Sequence, residues 1–389
     1  MRDNYKIYFS SRVINDIGDT LQEIAFITII AYYAQSTLIA GITVSLNALV
    51  RIICSLFAIK ITSNNIKKFL RNLDLLYGAL TLVFFAIFKI YSLSMNYWFL
   101  IGYETLCSLI YTYYRIYQDV IVKDVCRTNE QIARLFTTDN VISVAVSLAS
   151  SLLILSFKVD VFLLLNALSF FISAAIVNSM NITADTVRKK EAAKGLFSRI
   201  KEIKSGYPFV FSIIIVSCMV SFFYSTYNVV FQAALKDFSV KSQYIGALTG
   251  IYNIFVIFLS YIVGFLKVEH MKKIVLLFLT SLIAGLLISS SASGIAFIII
   301  ISLVYSIIGG GYNTFCQIIF QNNVKRDDIP TMKGIYNIFC GISIMLSGYL
   351  APKLLNRLTL NLFCITMSII AAISAIYISF TRDEERSNL

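Results

Sequence analysis

Ionisable side chains recur along one face of the first long apolar segment of the chain. Arg12, Asp16, Asp19 and Glu23 follow one another at spacings of 4, 3 and 4 residues. This spacing places all four on the same side of a helix. Because a charge buried in a bilayer costs at least about 2.5 kcal/mol, it generally faces a partner or a water-filled cavity. The stripe therefore indicates an ion or substrate path, with Asp19 and Glu23 near the midplane of the membrane.

A second polar stripe follows the apolar segment 97–121. Its members recur every three or four residues and are Glu104, Ser108, Tyr111, Arg115 and Gln118. Arg51 lies inside another apolar segment, at a depth similar to that of Asp16. Each stripe therefore carries both an acid and a base within an apolar segment.

These charges support two interpretations. In the first, one carboxylate exchanges protons during transport, with Arg51 or Arg115 as its counter-charge. The candidates for that carboxylate are Asp19, Glu23, Glu104 and Asp16. In the second, the charges form structural ion pairs, such as Asp16 with Arg51. We expect the acids at the cytoplasmic ends of apolar segments to be solvated; they are Asp74, Asp119, Asp124 and Asp139.

The second half of the chain carries amides and phenols in its apolar segments instead of charges. Such groups hydrogen-bond either a substrate or a neighbouring helix. Acids in one half and polar aromatics in the other suit an amphipathic or cationic substrate. Across both halves, the candidates for lining a substrate cavity are Gln22, Tyr111, Tyr227, Asn228, Tyr252, Asn253, Asn313 and Gln317.

Motifs for catalysis, metal binding or nucleotide hydrolysis are absent from the sequence. There is one histidine, and the seven cysteines show no Cys-x-x-Cys spacing, so no zinc site is predicted. The chain has no P-loop. The glycines 309–311 have no basic neighbour and predict close helix packing or a hinge. We therefore expect neither an enzyme nor a protein with a metal or cofactor.

The composition places these residues in a membrane. Of the 389 residues, 58% are apolar and 14% are charged, where soluble domains carry about 25% charged residues. Apolar runs of about 20 residues each predict twelve transmembrane helices in an all-α membrane protein. The predicted spans are 8–33, 37–59, 72–94, 97–121, 139–157, 160–180, 209–233, 244–266, 274–291, 294–320, 334–352 and 360–380.

The distribution of basic residues sets the expected orientation. Lys and Arg concentrate in the loops on the same side as the two termini, which predicts that both termini are cytoplasmic. The net charge of +12 follows from this bias, so it does not indicate a nucleic-acid partner. We expect a multi-pass protein of the plasma membrane.

The chain divides symmetrically around a basic segment. We predict six-helix bundles at 1–180 and 208–389, joined by a cytoplasmic linker at 181–207. Thr43 and Asn47 match Thr249 and Asn253 at an offset of 206 residues. Such matches suggest two parallel six-helix repeats, with a substrate site between the halves.

Two six-helix halves joined by a basic loop resemble the major facilitator superfamily. Residues 12–19, Arg-Val-Ile-Asn-Asp-Ile-Gly-Asp, resemble the opening of its macrolide-efflux and enterobactin-exporter branch. Residues 162–174, Phe-Leu-Leu-Leu-Asn-Ala-Leu-Ser-Phe-Phe-Ile-Ser-Ala, resemble that branch's sixth span. The loop after span 2 lacks the usual Gly-x-x-x-Asp-Arg element. Within span 6, Asn166, Ser169 and Ser173 share one face, where we expect hydrogen bonds between helices.

The combined pattern favours proton-driven efflux of a drug-like or natural-product molecule by alternating access, as an antiporter that confers drug resistance. The expected partners are a small-molecule substrate, protons and the bilayer, with the chain acting as a monomer. One alternative is a membrane assembly or sensing partner that transports nothing. Another is uptake or lipid flipping by the same fold.

Overall fold

The protein is all-α throughout the part of the chain that the structure describes. The structure is a computed structural model, and it describes residues 4–34, 37–58, 66–91, 97–156, 159–181, 196–239, 245–266, 270–355 and 357–381. No strand occurs among these residues. The first-half helices are α1 (Asn4–Ala34), α2 (Thr37–Ala58), α3 (Ile66–Tyr91), α4 (Tyr97–Val125), α5 (Asn129–Ser156) and α6 (Val159–Asn178).

The second half begins with a short helix that meets the following one at a sharp bend. Helices α7 and α8 differ in direction by 117°, with Pro208 opening α8. A π-helical segment, Ile307–Tyr312, separates α12 from α13. The helices are α7 (Leu196–Gly206), α8 (Pro208–Tyr224), α9 (Tyr227–Asp237), α10 (Ile245–Val263), α11 (Met271–Ser291), α12 (Gly294–Ser306), α13 (Asn313–Asn323), α14 (Ile329–Leu355) and α15 (Leu360–Phe380).

Several of these helices are built to cross a bilayer. Among the described residues, six segments are long and apolar enough to do so, or seven if the bent pair α7 and α8 forms one span. The six are 66–90, 160–178, 271–291, 294–323, 326–355 and 360–380. Their lengths match the thickness of the hydrocarbon core. The chain is thus a multi-pass membrane protein, while twelve spans and cytoplasmic termini stay predictions.

The surfaces of these helices confirm an apolar environment. Ile90 is 72% exposed, Leu277 63% and Phe380 85%. Water-soluble monomers rarely expose so many large apolar side chains along their helices. Lipid chains provide the matching environment, so these faces agree with the apolar composition.

The chain forms two compact units. Unit 1 comprises Met1–Arg127, Thr138–Lys194 and Lys325–Gly334, and unit 2 comprises Thr128–Thr137, Gly195–Val324 and Ile335–Leu389. In unit 1, α1 and α3 pack on α6, and α2 packs on α4. In unit 2, α8 and α11 pack on α15, and α10 packs on α12. This shared packing scheme supports two repeats of one helical design.

The π-helical segment lets two backbones approach closely inside unit 2. A Cβ atom added to Gly310 would lie 2.2 Å from the carbonyl oxygen of Val256. Ser260 Oγ donates a hydrogen bond to the Gly310 carbonyl oxygen over 3.2 Å. The glycine run therefore provides close helix packing, one of the two roles predicted for it.

We expect Gly310→Ala to destabilise unit 2 by about 2–3 kcal/mol, because a backbone carbonyl cannot move aside as a side chain can. The measurement is thermal unfolding of the purified protein in detergent. Gly348→Ala is the matched control, since a Cβ atom there meets nothing within 4 Å. Equal melting temperatures for the two variants would contradict the predicted backbone clash.

Candidate functional site

Four charged side chains meet inside unit 1 and form what we term the four-charge cluster: Arg12, Asp16, Arg115 and Asp139. Arg12 donates from Nε to Asp139 Oδ1 over 2.9 Å and from Nη2 to Asp139 Oδ2. Arg115 Nη2 lies 3.4 Å from Asp16 Oδ1, and its Nη1 lies 3.8 Å from Asp139 Oδ2. Helices α1, α4 and α5 thereby share one electrostatic site.

The four-charge cluster is balanced in charge, and its two members on α1 are buried. Two cations face two anions, and the side chains of Arg12 and Asp16 are only 3% and 8% exposed. The fork of Arg12 engages both oxygens of Asp139, a geometry that strengthens ionic hydrogen bonds. Because each ion is compensated, the cluster can remain charged within a low-dielectric interior.

Arg115 connects this cluster to the polar stripe predicted on α4. Its Nε donates to Tyr111 Oη over 2.6 Å, and its Nη1 donates to Gln118 Oε1 over 3.1 Å. The guanidinium carbon also lies 5.0 Å from the centre of the Tyr111 ring. The three-and-four spacing of the stripe thus corresponds to side chains in mutual contact.

The suggested pairing of Asp16 with Arg51 is wrong. Asp16 forms its ion pairs with Arg12, one helical turn earlier on α1, and with Arg115 on α4. Arg51 is half-buried on α2. Similar depth made the pairing plausible, but the side-chain direction of each helix determines which charges meet.

The remaining acid candidates occupy different positions in unit 1. Asp19 is half-buried on α1, one turn beyond Asn15, and its Oδ1 is buried. Glu104 is half-buried on α4 and accepts a hydrogen bond from Asn47 Nδ2 over 3.3 Å. Glu23 belongs to α1, but its side chain lies outside the described residues. Asp19 and Glu104 are therefore partly accessible acids within an apolar unit.

Gln22 is buried in a network of hydrogen bonds between helices. Its amide oxygen accepts from Tyr103 Oη over 3.1 Å and from Asn166 Nδ2. Its amide nitrogen donates to Tyr77 Oη over 3.2 Å, and the residue is 5% exposed. The contact with Asn166 confirms the expected hydrogen bonding between α6 and its neighbours.

Unit 2 contains a cluster of phenols, which we call the tyrosine cluster: Tyr224, Tyr227, Tyr252 and Tyr305. The rings of Tyr227 and Tyr252 stack with their centres 4.6 Å apart. Tyr224 Oη and Tyr252 Oη lie 3.0 Å from each other, and Tyr224 is 38% exposed. This arrangement offers aromatic faces with a polar rim.

The other predicted cavity residues of unit 2 are more dispersed. Asn253 is half-buried on α10, whereas Asn313 and Gln317 are half-buried on α13. Asn228 belongs to α9, and its side chain lies outside the described residues. The tyrosine cluster therefore brings together two of the predicted residues, Tyr227 and Tyr252.

The four acids expected to be solvated at cytoplasmic ends are paired or buried instead, so that expectation is wrong. Asp119 Oδ2 lies 2.9 Å from Lys333 Nζ. Asp124 accepts from Arg326 over 2.6 and 2.8 Å. In both pairs the partners are more than 200 positions apart along the chain, so local sequence spacing cannot predict them. Asp139 belongs to the four-charge cluster, and Asp74 is fully buried.

Thiol chemistry finds no support in unit 1. Burial raises the pKa of the Cys126 thiol to about 12, which leaves it protonated and weakly nucleophilic at neutral pH. All seven cysteines are free. Within the described ranges, no group of three or more His, Cys, Asp or Glu side chains is arranged to hold a metal ion.

Comparison with known proteins gives the fold a context. Residues 213–389 match the family model of the Major Facilitator Superfamily. No curated protein matches the chain. Among solved structures, the human organic anion transporter MFSD10 (TETRAN) is similar, with a TM-score of 0.76 and 10% identity over 97% of this chain and 99% of that one.

Two further structures share this architecture. A bacterial homologue of the iron transporter ferroportin, in its outward-facing state, has a TM-score of 0.75 and 13% identity over 98% of this chain and 100% of its own. The E. coli fucose:proton symporter FucP has a TM-score of 0.70 and 13% identity, with the same coverage. These likenesses show that the chain shares the fold of these structures, and the family model matches residues 213–389 of it.

Proposed function

We propose that this multi-pass membrane protein of the major facilitator fold is a secondary active transporter that exports an amphipathic small molecule in exchange for protons. One observation carries the proposal: the ionisable side chains inside the apolar helices gather in unit 1, around the four-charge cluster. Intramembrane charges of this kind mark ion and substrate paths. The similar structures are named as transporters of an organic anion, iron or fucose, which supports a transport role.

The charges divide into fixed and exchangeable groups. Asp16 and Asp139 each face two arginines, and these ion pairs hold α1, α4 and α5 together. Asp19 and Glu104 are half-buried and stay partly accessible. We assign proton exchange to Asp19 and Glu23, with Glu104 as the next candidate. Protonation then changes the relative free energies of the two access states.

The tyrosine cluster supports an aromatic or cationic substrate. Phenol rings offer stacking faces and attract cations through their π-electrons. Hydroxyl groups at the rim provide hydrogen bonds that orient a polar end. This combination fits a drug-like molecule with one apolar and one polar part, and the resemblance to macrolide exporters favours the outward direction.

The proposal includes a topology of twelve spans with both termini in the cytoplasm of a plasma-membrane monomer. Its halves are residues 1–180 and 208–389, joined by the linker 181–207. We expect a reporter fused at Lys194 to be cytoplasmic and one fused at Lys241 to be external. Both positions lie outside the described residues. A reporter pair that is sensitive to compartment measures this, and two reporters on one side would contradict the topology.

The transport activity is testable in everted vesicles. We expect vesicles containing the protein to accumulate ethidium when their interior is acidified, and vesicles without it to accumulate none. A panel of amphipathic cations and natural products extends the test, together with the susceptibility of a deletion strain to the same compounds. Absence of any gradient-dependent flux across the panel would favour the non-transporting alternative.

A further inference from the structure

A fully buried carboxyl lies beside the four-charge cluster without being part of it. Asp74 of α3 is 0% exposed. Its Oδ1 accepts from Asn15 Nδ2 over 3.2 Å, and its Oδ2 accepts from Ser173 Oγ over 3.0 Å. Both partners are neutral, so Asp74 differs from Asp16 and Asp139, which face arginines.

The hydrogen-bonded chain continues from α6 to α1. Ser173 Oγ lies 2.7 Å from Ser11 Oγ, and either hydroxyl can be the donor. Both serines are buried. Asp74, Ser173 and Ser11 therefore form an unbroken line of exchangeable protons across α3, α6 and α1, which we call the Asp74 relay.

One buried acceptor beside the relay lacks a hydrogen bond. Asn15 Nδ2 donates to Asp74 and, over 2.7 Å, to Tyr114 Oη. Asn15 Oδ1 is buried and receives no hydrogen bond from the described part of the chain. An ionised carboxylate without a cation is costly in such a site.

Charged and titratable groups face Asp74 from two neighbouring helices. From α1, the negative charge of Asp19 favours a protonated carboxyl, whereas from α4 the hydrogen bond of the Tyr114 hydroxyl stabilises the carboxylate. From α6 the facing group is the neutral Ser173. Arg71 of α3 is engaged by Asn72 and Asn178 instead. Among the described residues, no cation forms an ion pair with Asp74.

We propose that Asp74 is a second proton-binding residue of the transporter, loaded through Ser173 and Ser11. It contacts Asn15, which lies one helical turn before Asp19 on α1. This inference rests on the proposed proton-coupled transport and adds a residue to it. In the loading step, Ser173 transfers its hydroxyl proton to Asp74 Oδ2 and receives one from Ser11. Ser11 takes a proton from a hydronium ion on the cytoplasmic side, which leaves a water molecule. Both serines end neutral, and Asp74 becomes a neutral carboxylic acid.

Infrared difference spectroscopy of the purified protein tests the relay without any substrate. We expect a carbonyl band of a protonated carboxylic acid to change between about pH 5 and about pH 9, to shift in heavy water, and to disappear in Asp74→Asn. The control Asp237→Asn, an exposed acid at the end of α9, should retain it. A wild-type band that does not titrate in this range would overturn the proposal.

The serines provide variants that keep the carboxyl. Ser173→Ala removes the donor to Asp74 and should shift the titration of the band, so the test remains valid if Asp74→Asn fails to fold. Ser169→Ala is the matched control, because Ser169 Oγ donates to the Asn166 carbonyl oxygen over 2.8 Å and does not touch Asp74. Equal titrations in both serine variants would contradict the relay.

Transport measurements then separate the two proposals. We expect Asp74→Asn to lower proton-driven ethidium accumulation about 100-fold while ethidium exchange without a gradient persists. If wild-type vesicles move no compound but the Asp74 band titrates, the proposed function fails and the protonation site stands. Undiminished proton-driven accumulation in Asp74→Asn would overturn the role of Asp74 and leave transport intact.

Discussion

The double variant Asp19→Asn and Glu23→Gln should abolish accumulation driven by a proton gradient while the protein still inserts into the membrane. The physical reason is that an amide preserves size and hydrogen bonding but cannot bind and release a proton. Asp19 is half-buried, within a helix that carries the fixed charges of the four-charge cluster. Its environment therefore allows protonation to change with access state.

The measurement is uptake into everted vesicles under an imposed pH gradient, with expression matched to wild type. Asp237→Asn serves as an acid-to-amide control at an exposed position. We expect exchange down a substrate gradient to persist in the double variant. Unchanged gradient-driven accumulation would refute the assignment and move it to Glu104, whose carboxylate contacts Asn47.

The second large effect concerns stability. Arg12→Gln should destabilise unit 1 by about 3–5 kcal/mol, because it deprives Asp139 of its closest cation and the buried Asp16 of one of its two arginines. Arg12 is 3% exposed and engages both oxygens of Asp139. The loss should appear as a lower melting temperature and a smaller folded yield in detergent.

Two variants test whether charge balance is the cause. The double variant Arg12→Gln and Asp139→Asn removes one cation and one anion, so it should recover much of the lost stability. Arg326→Gln breaks the ion pair with Asp124. The side chain of Arg326 is 24% exposed and that of Asp124 is 17% exposed. We expect a loss of about 1 kcal/mol there. Equal losses for Arg12→Gln and Arg326→Gln would contradict the role of burial.

The sequence determined the environment and the helices of this protein. Apolar runs and sparse charges predict a membrane protein, and every predicted span overlaps a described helix. The spacing of the α4 stripe correctly anticipated contacts such as that between Arg115 and Tyr111. Periodicity is a local property, so it determines which side chains share a helical face.

Tertiary structure decided which faces meet. Arg12 and Asp139 are 127 positions apart, and Arg326 and Asp124 are 202 apart. Asp74 was expected to be solvated, yet helix packing buries it next to Ser173. Partner choice depends on the rotation and crossing of whole helices, which many weak packing contacts set together. A charge pattern along one helix contains no such information, and for this reason the fixed ion pairs and the Asp74 relay emerge only from the folded chain.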